Sequence, residues 1–260
     1  MKNKISNINK FFKPFIHIEN INEDSFYFDL HLHTIDSDSL IQPKELADFL
    51  HKKNYLVAIT DHNSIGGVIE LLKYGINAVP GIELGCSDGM ELLVYFKNLD
   101  DCKEFYNLYV LPYRHSTRMS RTTKDIWFYF SCLKKYEVYT SIPHISGIAQ
   151  KNFIKNKPEI FQIIKMVNAV EINNYSLSKR KNNVAKNIKL TYHLEGTYGS
   201  DAHSIKEVFS FYRYLNKKHN YLHKGVDYIY KVSVATQIGY KHFKYMLFNK
   251  FWLEVSNEIF

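Results

Sequence analysis

Cysteine is scarce in this sequence, and its spacing excludes two kinds of protein. The chain of 260 residues contains three cysteines, Cys86, Cys102 and Cys132, and none of them forms a CxxC pair. An odd number of widely spaced thiols indicates neither a disulfide framework nor a zinc site built from thiolates. The cysteine usage therefore favours a protein of the reducing cytoplasm.

Long apolar runs are also missing. No stretch approaches the ~20 apolar residues of a membrane-spanning helix. The N-terminal stretch MKNKISNINKFFKPFIHIEN is basic, but it lacks an apolar region followed by a cleavage site of small residues. We therefore predict neither membrane insertion nor secretion. No repeat or low-complexity linker interrupts the chain, so its length favours one sizeable core.

The charge balance leaves two interpretations open. Hydrophobic residues make up 45% and charged residues 23% of the chain, which argues against extensive disorder. The formal net charge is +8. Such a charge suits phosphates, nucleic acid or an acidic surface, but a general drift of composition toward lysine produces the same charge without a binding function.

Short β-type runs alternate with helical patterns, as is typical of parallel strands joined by crossover helices in an α/β fold. Strands are predicted near residues 26–32, 56–60, 78–83, 91–96, 138–143, 168–173 and 196–200. Helices are predicted in PKELADFLHKK, in GVIELLKYG, and near residues 123–135, 158–167, 178–190 and 204–217. From about Asp227, apolar and aromatic residues predict one or two helices that pack on the core, with a membrane-surface or partner-binding role as the alternative; they include Ile229, Tyr230, Phe243, Leu247, Phe248 and Trp252.

The segment FYFDLHLHT at 26–34 is the most informative part of the sequence. Strand alternation puts its apolar residues on one face and its polar residues on the other. In a closed parallel barrel we expect the apolar face to meet the helices, and His31 and His33 to lie near the C-terminal end of the strand, where barrel enzymes have their active sites. The apolar face is Phe26, Phe28, Leu30 and Leu32, and the polar face is Tyr27, Asp29, His31 and His33.

Potential metal ligands recur at the ends of the later strands. An HxH pair alone is more often structural, but repeated strand-end ligands are difficult to explain by chance. Oxygen and nitrogen ligands without sulfur suit Mn²⁺, Fe²⁺ or Zn²⁺, whereas Mg²⁺ is less suited to so many imidazoles. The candidates are His31, His33, Asp38, His62, Glu83, Glu91, His144, Asp201 and His203.

The motifs DLHLHT, SDS, TDHN, GIEL, a histidine after a late strand, and SDAH occur here in an order that resembles the PHP (polymerase and histidinol phosphatase) family. The resemblance spans about residues 26 to 205. It implies a distorted TIM-like (β/α)7 barrel over residues 26–225, with an N-terminal extension (1–25) and a C-terminal helical extension (226–260). It also implies a centre of two or three metal ions at the C-terminal ends of the strands, and phosphoester hydrolysis as the activity.

The resemblance further implies how the ligands are grouped. One ion would be held by His31, His33, Glu83 and Asp201, a second by Glu83 and His144, and a third by Asp38, His62 and His203. We expect catalytic roles for His31, His33, Glu83, Asp201 and His203.

Two positions depart from the family pattern. Glu91 stands where many relatives have a histidine, so it either substitutes as an oxygen ligand or weakens the second site. Ser39 replaces a glycine in the SDG motif, which affects a turn rather than the chemistry. Asp61 is open between two roles, orienting a ligand histidine and capping the helix that follows. Ordinary surface or packing roles are expected for His17, His51, His115, His193, His219, His223 and His242.

Cationic side chains for a phosphate occur in YRHSTRMSRTTK, between the fourth and fifth strands. Arg114, Arg118 and Arg121 are the substrate-binding candidates, although a solvated loop of a basic protein explains any one of them equally well. Asn173 and Tyr175 are further candidates, with a structural hydrogen-bond role as the rival interpretation.

Three functions remain open. The first is hydrolysis of a phosphate monoester of a small molecule, such as a nucleotide, a sugar phosphate or a compound like histidinol phosphate, through attack by a metal-bound hydroxide. The second is a nuclease or nucleic-acid end-processing phosphodiesterase, which needs a basic track with aromatic platforms. The third is a non-catalytic, regulatory barrel that retains metal for folding or for docking a partner protein.

Overall fold

The structure, a computed structural model, describes residues 6–216 and 223–248. One seven-stranded sheet has its strands in sequence order, and every predicted strand is present with bounds shifted by a few residues at most. The strands are β1 (Tyr27–Asp29), β2 (Tyr55–Ile59), β3 (Val79–Gly85), β4 (Glu91–Phe96), β5 (Val138–Ile142), β6 (Ala169–Asn174) and β7 (Glu195–Gly199).

Helices follow most of the strands. The described residues contain α1 (Pro43–Leu50), α2 (Gly66–Lys73), α3 (Leu99–Phe105), α4 (Ile126–Leu133), α5 (Phe153–Asn156), α6 (Ile160–Ile163), α7 (Lys179–Thr191), α8 (Ile205–Leu215) and α9 (His223–Phe248). The sequence pattern missed α3, the π-helical turn Tyr106–Val110 that continues it, and the single turn α5. The other helices lie where they were predicted, with 158–167 divided between α6 and a 3-10 turn.

The strand β4 corrects the expectation of a parallel sheet. It runs antiparallel to both β3 and β5, whereas the other neighbouring strands are parallel. The reason is the length of the connection between Gly85 and Glu91, where a turn closed by a hydrogen bond from the Cys86 N–H to the Met90 carbonyl leaves no room for a helix. A parallel crossover needs about a dozen residues or more.

Hydrogen bonds between the two edges of the sheet nearly close it into a barrel. The Leu30 N–H donates to the Tyr198 carbonyl at 3.0 Å, and the Asp201 N–H donates to the His31 carbonyl at 2.8 Å. The buried carboxylate of Asp29 accepts the Ser200 N–H at 2.9 Å. The predicted distorted TIM-like barrel is therefore confirmed, and its closure brings the residues after β1 beside those after β7.

The facing of β1 differs from the expectation. A cluster drawn from β1 to β6 and the N-terminal segment fills the barrel, and it contains Phe26 and Leu30, whereas Tyr27 packs on Phe49 of α1 and Phe211 of α8. The predicted inner and outer faces are thus exchanged as far as Leu30, where the chain bends. The interior cluster consists of Phe11, Phe12, Phe15, Phe26, Leu30, Leu56, Ala58, Val79, Leu93, Tyr95, Tyr139 and Ala169.

Few of the α9 side chains that the structure describes are buried. Val234, Lys241 and Tyr245 are buried. Core packing was predicted for Phe243, Leu247 and Phe248, but these side chains are 53%, 55% and 66% exposed, so that prediction is wrong for them. Trp252, named with them, lies outside the described residues. Within 6–216 and 223–248, no helix combines the length and the apolar character that crossing a membrane requires.

Candidate metal centre

Four side chains converge at the C-terminal edge of the barrel. His31 and His33 follow β1, Glu83 lies on β3, and Asp201 follows β7. The two histidine Nε2 atoms are 3.1 Å apart, and each lies 3.3 Å from Oε2 of Glu83. The Oδ1 atom of Asp201 is 3.6 Å from Nε2 of His31 and 3.4 Å from Nε2 of His33. All four are thus brought together as predicted.

A carboxylate behind this group fixes the orientation of His31. Glu171 Oε1 lies 3.0 Å from Nδ1 of His31, and its Oε2 accepts the His144 N–H at 2.8 Å. Since a carboxylate can only accept, Nδ1 carries a proton, and Nε2 is the nitrogen that would bind an ion. The amide of Asn174 donates to Glu171 Oε2 at 3.0 Å and to Asp201 Oδ2 at 3.2 Å, so it ties the two carboxylates together.

A second group shares Glu83. Its Oε1 lies 3.2 Å from Nε2 of His144, which is 3.3 Å from Oε2 of Glu91. Glu91 is fully buried and also contacts two cations, since Nη1 of Arg121 lies 2.6 Å from its Oε1 and Nζ of Lys151 lies 3.5 Å from its Oε2. Oε2 of Glu83 therefore faces the first group, and Oε1 faces the second.

A third group surrounds Asp38. Nε2 of His203 lies 3.3 Å from Oδ1, and Nε2 of His62 lies 3.7 Å from Oδ2. His242 of α9, for which the sequence gave no functional role, places its Nε2 3.4 Å from Oδ2. On its other side, Nδ1 of His62 is 3.2 Å from Oε2 of Glu83 without hydrogen-bond geometry. Imidazole nitrogens and carboxylate oxygens that converge in this way form the arrangement expected around a bound cation.

Burial and charge act in opposite directions on the titration of the cluster. Burial disfavours the charged imidazolium of His31, but the carboxylates of Glu171, Glu83 and Asp201 outweigh it and raise its pKa. Burial prevails at His62 and lowers its pKa to about 4, although Glu83 also faces it. His62 is therefore neutral near pH 7, the form that binds a metal. Burial alone would raise the pKa of Glu83, but the histidines around it hold it well below its usual range.

Asp61 stabilises the loop after His33 rather than facing the centre. Its carboxylate accepts the N–H and the hydroxyl of Thr34 and the hydroxyl of Ser37, each at 2.6 Å. The first N–H groups of α2 are instead bound by Asp36, which accepts the Gly66 N–H at 2.7 Å. Neither of the two roles that the sequence left open for Asp61 is the one observed.

A lysine from α9 holds the same loop from outside. The ammonium of Lys241 donates to the carbonyls of Ile35, Ser37 and Ser39, at 3.1, 2.7 and 2.6 Å. Two of these carbonyls flank Asp38, so α9 contributes to the position of a candidate ligand. Burial disfavours the charged form of Lys241 and lowers its pKa to about 8.

The loop after α3 places one of the three candidate arginines at the centre. The Thr122 N–H donates to the Gly85 carbonyl at 2.7 Å, which seats the loop on the end of β3. A Cβ at Gly85 would lie 1.8 Å from the Ser120 carbonyl oxygen and 2.9 Å from Nη1 of Arg121. The close approach therefore requires glycine, and it positions Arg121 against Glu91. Arg118 is exposed, and Arg114 donates to the Tyr106 hydroxyl at 3.3 Å.

Asn173 and Tyr175 are not brought to the metal centre. The register of β6 against β7 shifts between Glu171 and Asn173, and this bulge turns Asn174 inward in place of its neighbour. The side chain of Asn173 lies beside Asn182 of α7. Tyr175 packs on two aromatic rings of α8, Phe211 and Tyr214, with ring centroids 5.4 and 5.3 Å away. Their binding of substrate stays a prediction.

No family model and no curated protein matches the sequence, but solved structures match the fold. A Bifidobacterium adolescentis protein classed as a metal-dependent phosphoesterase aligns with a TM-score of 0.51 and 14% identity, over 70% of this chain and 88% of its own. The lesion-specific endonuclease EndoQ of Pyrococcus furiosus aligns with a TM-score of 0.53 and 17% identity, over 68% of this chain and 48% of its own. The chain has the fold of the PHP phosphoesterases.

Another solved structure that matches this chain contains DNA. Endonuclease Q in complex with a 27-mer duplex substrate that has an abasic lesion at the active site aligns with a TM-score of 0.52 and 16% identity. The alignment covers 68% of this chain and 49% of the endonuclease chain, so this chain spans about half of that protein.

The donor atoms fit the metal that the PHP fold implies. In a tetrahedral site with bonds of about 2.0–2.2 Å, neighbouring ligand atoms are roughly 3.3–3.6 Å apart. The distances from the Nε2 atoms of His31 and His33 to each other, to Oε2 of Glu83 and to Oδ1 of Asp201 run from 3.1 to 3.6 Å. Groups with all donor atoms within 4.8 Å of one another are His31–His33–Glu83, His31–His144–Asp201, His33–Asp38–His62, His33–Asp201–His203 and His62–Glu83–Glu91.

Five residues at or behind the centre were not among the candidates from the sequence: Glu171, Asn174, Lys151, Lys241 and His242. Asn174 is displaced from its expected face by a bulge, and no sequence signal marks that bulge. Lys241 and His242 come from a helix about two hundred residues away from Asp38. Lys151 follows β5 by nine residues, on the loop that carries His144, so a systematic search of the segments after each strand would have found it.

Proposed function

We propose that this protein is a metal-dependent phosphoesterase. The proposal depends mainly on one observation, the ion-sized spacing of the donor atoms of His31, His33, Glu83 and Asp201 beside two cationic side chains. A centre of buried histidines and carboxylates binds the metal, and cations at its rim bind the phosphate. The likeness to solved PHP-fold enzymes is consistent with this but extends only to the fold.

The ligand groupings follow the resemblance. The first ion would be held by His31, His33, Glu83 and Asp201, the second by Glu83 and His144, and the third by Asp38, His62 and His203. Glu91, predicted as a further ligand of the second ion, is engaged by Arg121. Two or three ions are proposed, and Mn²⁺, Fe²⁺ or Zn²⁺ suit a donor set rich in imidazole better than Mg²⁺ does.

Different side chains would have different roles in hydrolysis. A bound divalent ion lowers the pKa of a coordinated water and offsets charge on the phosphoryl oxygens. Glu171 holds the His31 ring in the tautomer that presents Nε2 to the centre. His203, whose side chain is 18% exposed, would bind the third ion at the rim of the centre. Arg121 is positioned to contact the phosphoryl group beside Glu91.

A phosphate monoester of a small molecule is the substrate class we favour. A cleft of about 360 Å³ lies between residues 117–121 and α9, where His242, Phe243 and Met246 line it. Its volume is within the range of small-molecule sites, roughly 300–1,000 Å³. Two residues that line it also contact candidate ligands, since Arg121 contacts Glu91 and His242 contacts Asp38. Arg118 and Arg121 supply cations to it.

Cleavage of nucleic acid is the second candidate. It is favoured by the aromatic residues that α9 exposes, since Tyr240 and Phe243 are 56% and 53% exposed and Lys244 lies over the Tyr240 ring. Exposed rings next to cations are how single strands are commonly bound. EndoQ, one of the structures with this fold, is an endonuclease, but this chain spans about half of it.

The experiment that separates these candidates compares substrates on one preparation. Purified protein with added Mn²⁺ is given a phosphomonoester, a phosphodiester and short DNA or RNA, before and after chelation. Chelator-sensitive turnover of the monoester alone is the expected result, and cleavage of oligonucleotides would favour the nuclease. Inert protein with one ion or none would favour the non-catalytic barrel. We also propose the cytoplasm as its compartment, in keeping with three free cysteines.

A further inference from the structure

The ammonium of Lys151 lies in the metal centre although no sequence pattern marks it. Its Nζ is 3.5 Å from Oε2 of Glu91, and the side chain is 41% exposed. Arg121 reaches the other oxygen of the same carboxylate at 2.6 Å and is 18% exposed. Both cations thus contact Glu91 while part of each side chain stays exposed to solvent.

Glu91 is shared between two cations. Its buried carboxylate contacts Arg121 through one oxygen and Lys151 through the other. The lysine and the arginine that already contact its oxygens would repel a further cation there, because like charges at such distances disfavour one another. Glu91 is therefore poorly suited to complete a second metal site with Glu83 and His144.

The loop that contains Lys151 is shaped to hold it there. The Lys151 N–H donates to the Ile148 carbonyl at 3.0 Å, and the loop closes where the Phe153 N–H donates to the Ile145 carbonyl at 3.1 Å. Gly147 packs against the backbone of Lys151, where a Cβ would lie 2.5 Å from the Lys151 carbonyl oxygen. Any larger residue at 147 would have to move this backbone.

We propose that Glu91 is an anchor rather than a metal ligand, and that it holds Lys151 and Arg121 as a pair of cations that binds the phosphoryl oxygens of the substrate. The proposal rests on the proposed function, because it assigns a role within the same site. The two cations offset the negative charge of those oxygens on the side of the centre where Glu91 lies. Lys151 thereby becomes a substrate-binding residue, in addition to Arg121.

Binding of inorganic phosphate to the metal-loaded full chain tests the proposal without turnover. Lys151→Met is expected to weaken phosphate binding by about tenfold or more in calorimetry, because a charge-assisted hydrogen bond is lost. Gly147→Ala keeps the charge but displaces the loop, so it should weaken binding in the same direction. Lys155→Met, an exposed lysine on α5, is the matched control and should bind phosphate as the wild type does.

Metal content measured on the same samples decides the role of Glu91. Glu91→Gln should retain the full complement of ions while its phosphate affinity falls, since the anchor of both cations is weakened. Loss of an ion in Glu91→Gln would overturn the proposal, as would unchanged phosphate affinity in Lys151→Met or a wild type that binds no phosphate. Phosphate binding through Lys151 in a protein that hydrolyses no phosphoester would contradict the proposed function alone.

Discussion

Glu171 Oε1 lies 3.0 Å from Nδ1 of His31, with both side chains fully buried. This contact sets which nitrogen of His31 faces the other ligands, so the strength of the centre depends on a residue that does not itself face the proposed ion. A carboxylate behind a ligand histidine commonly raises metal affinity by fixing the ring and its tautomer.

Replacing Glu171 by Gln should therefore weaken metal binding. The amide can still accept a hydrogen bond from Nδ1, but it removes a negative charge, and we expect roughly a 10–100-fold loss of affinity for the first ion. Titration of the metal-free variant with Mn²⁺ or Zn²⁺ measures the change. Glu195→Gln, at the opposite end of the barrel, is the control, and equal affinities for the two variants would contradict the role of Glu171.

Replacing Gly85 by Ala should destabilise the fold through the arginine loop. The new Cβ would meet the Ser120 carbonyl oxygen at 1.8 Å, and backbone atoms cannot turn away as a flexible side chain can. Overpacking of this kind costs about 1–3 kcal/mol in the free energy of unfolding, measured by denaturant titration. Gly239→Ala is the comparison, because a Cβ there has no neighbour within 4 Å and alanine favours the helix.

Lys241 should give the stability a distinctive pH dependence. Burial lowers its pKa to about 8, so between pH 8 and its ordinary value of about 10.4 the folded chain binds fewer protons than the unfolded chain. Its contribution to the free energy of unfolding therefore rises with pH across this window. Below pH 8 the lysine is charged in both states and the cost of burying that charge is fully present.

The difference in stability between the wild type and Lys241→Met isolates this effect from other groups that titrate in the same window. Urea unfolding at several pH values should show the difference increasing in favour of the wild type as pH rises through the window. A difference independent of pH would mean that Lys241 is not buried against the carbonyls of Ile35, Ser37 and Ser39.

Most of the centre could be predicted because its residues follow strands. In a barrel, the C-terminal ends of parallel strands meet at one edge, so residues far apart in sequence, such as His31, His144 and Asp201, converge there whatever the details of packing. The antiparallel β4 does not disturb this, since Glu91 lies at its beginning, which is the same edge.

Prediction from the sequence failed where the position of a side chain depends on how neighbouring strands and helices pack. The alternation in 26–32 cannot show which face is inside, because apolar side chains fill the barrel below the centre as well as the layer under the helices. The bulge that directs Asn174 rather than Asn173 toward the centre depends on how β6 pairs with β7. The approach of His242 to Asp38 depends on where α9 packs, which local sequence patterns do not encode.

The most direct test of the central claim is metal analysis of purified protein coupled to a phosphomonoester assay with and without chelator. His31→Ala is the test variant, and His51→Ala, an exposed histidine at the end of α1, is its control. We predict that the wild type and His51→Ala hold more than one divalent ion and lose activity on chelation, whereas His31→Ala holds fewer ions and is inactive. Full activity in His31→Ala, or turnover by metal-free protein, would contradict the account.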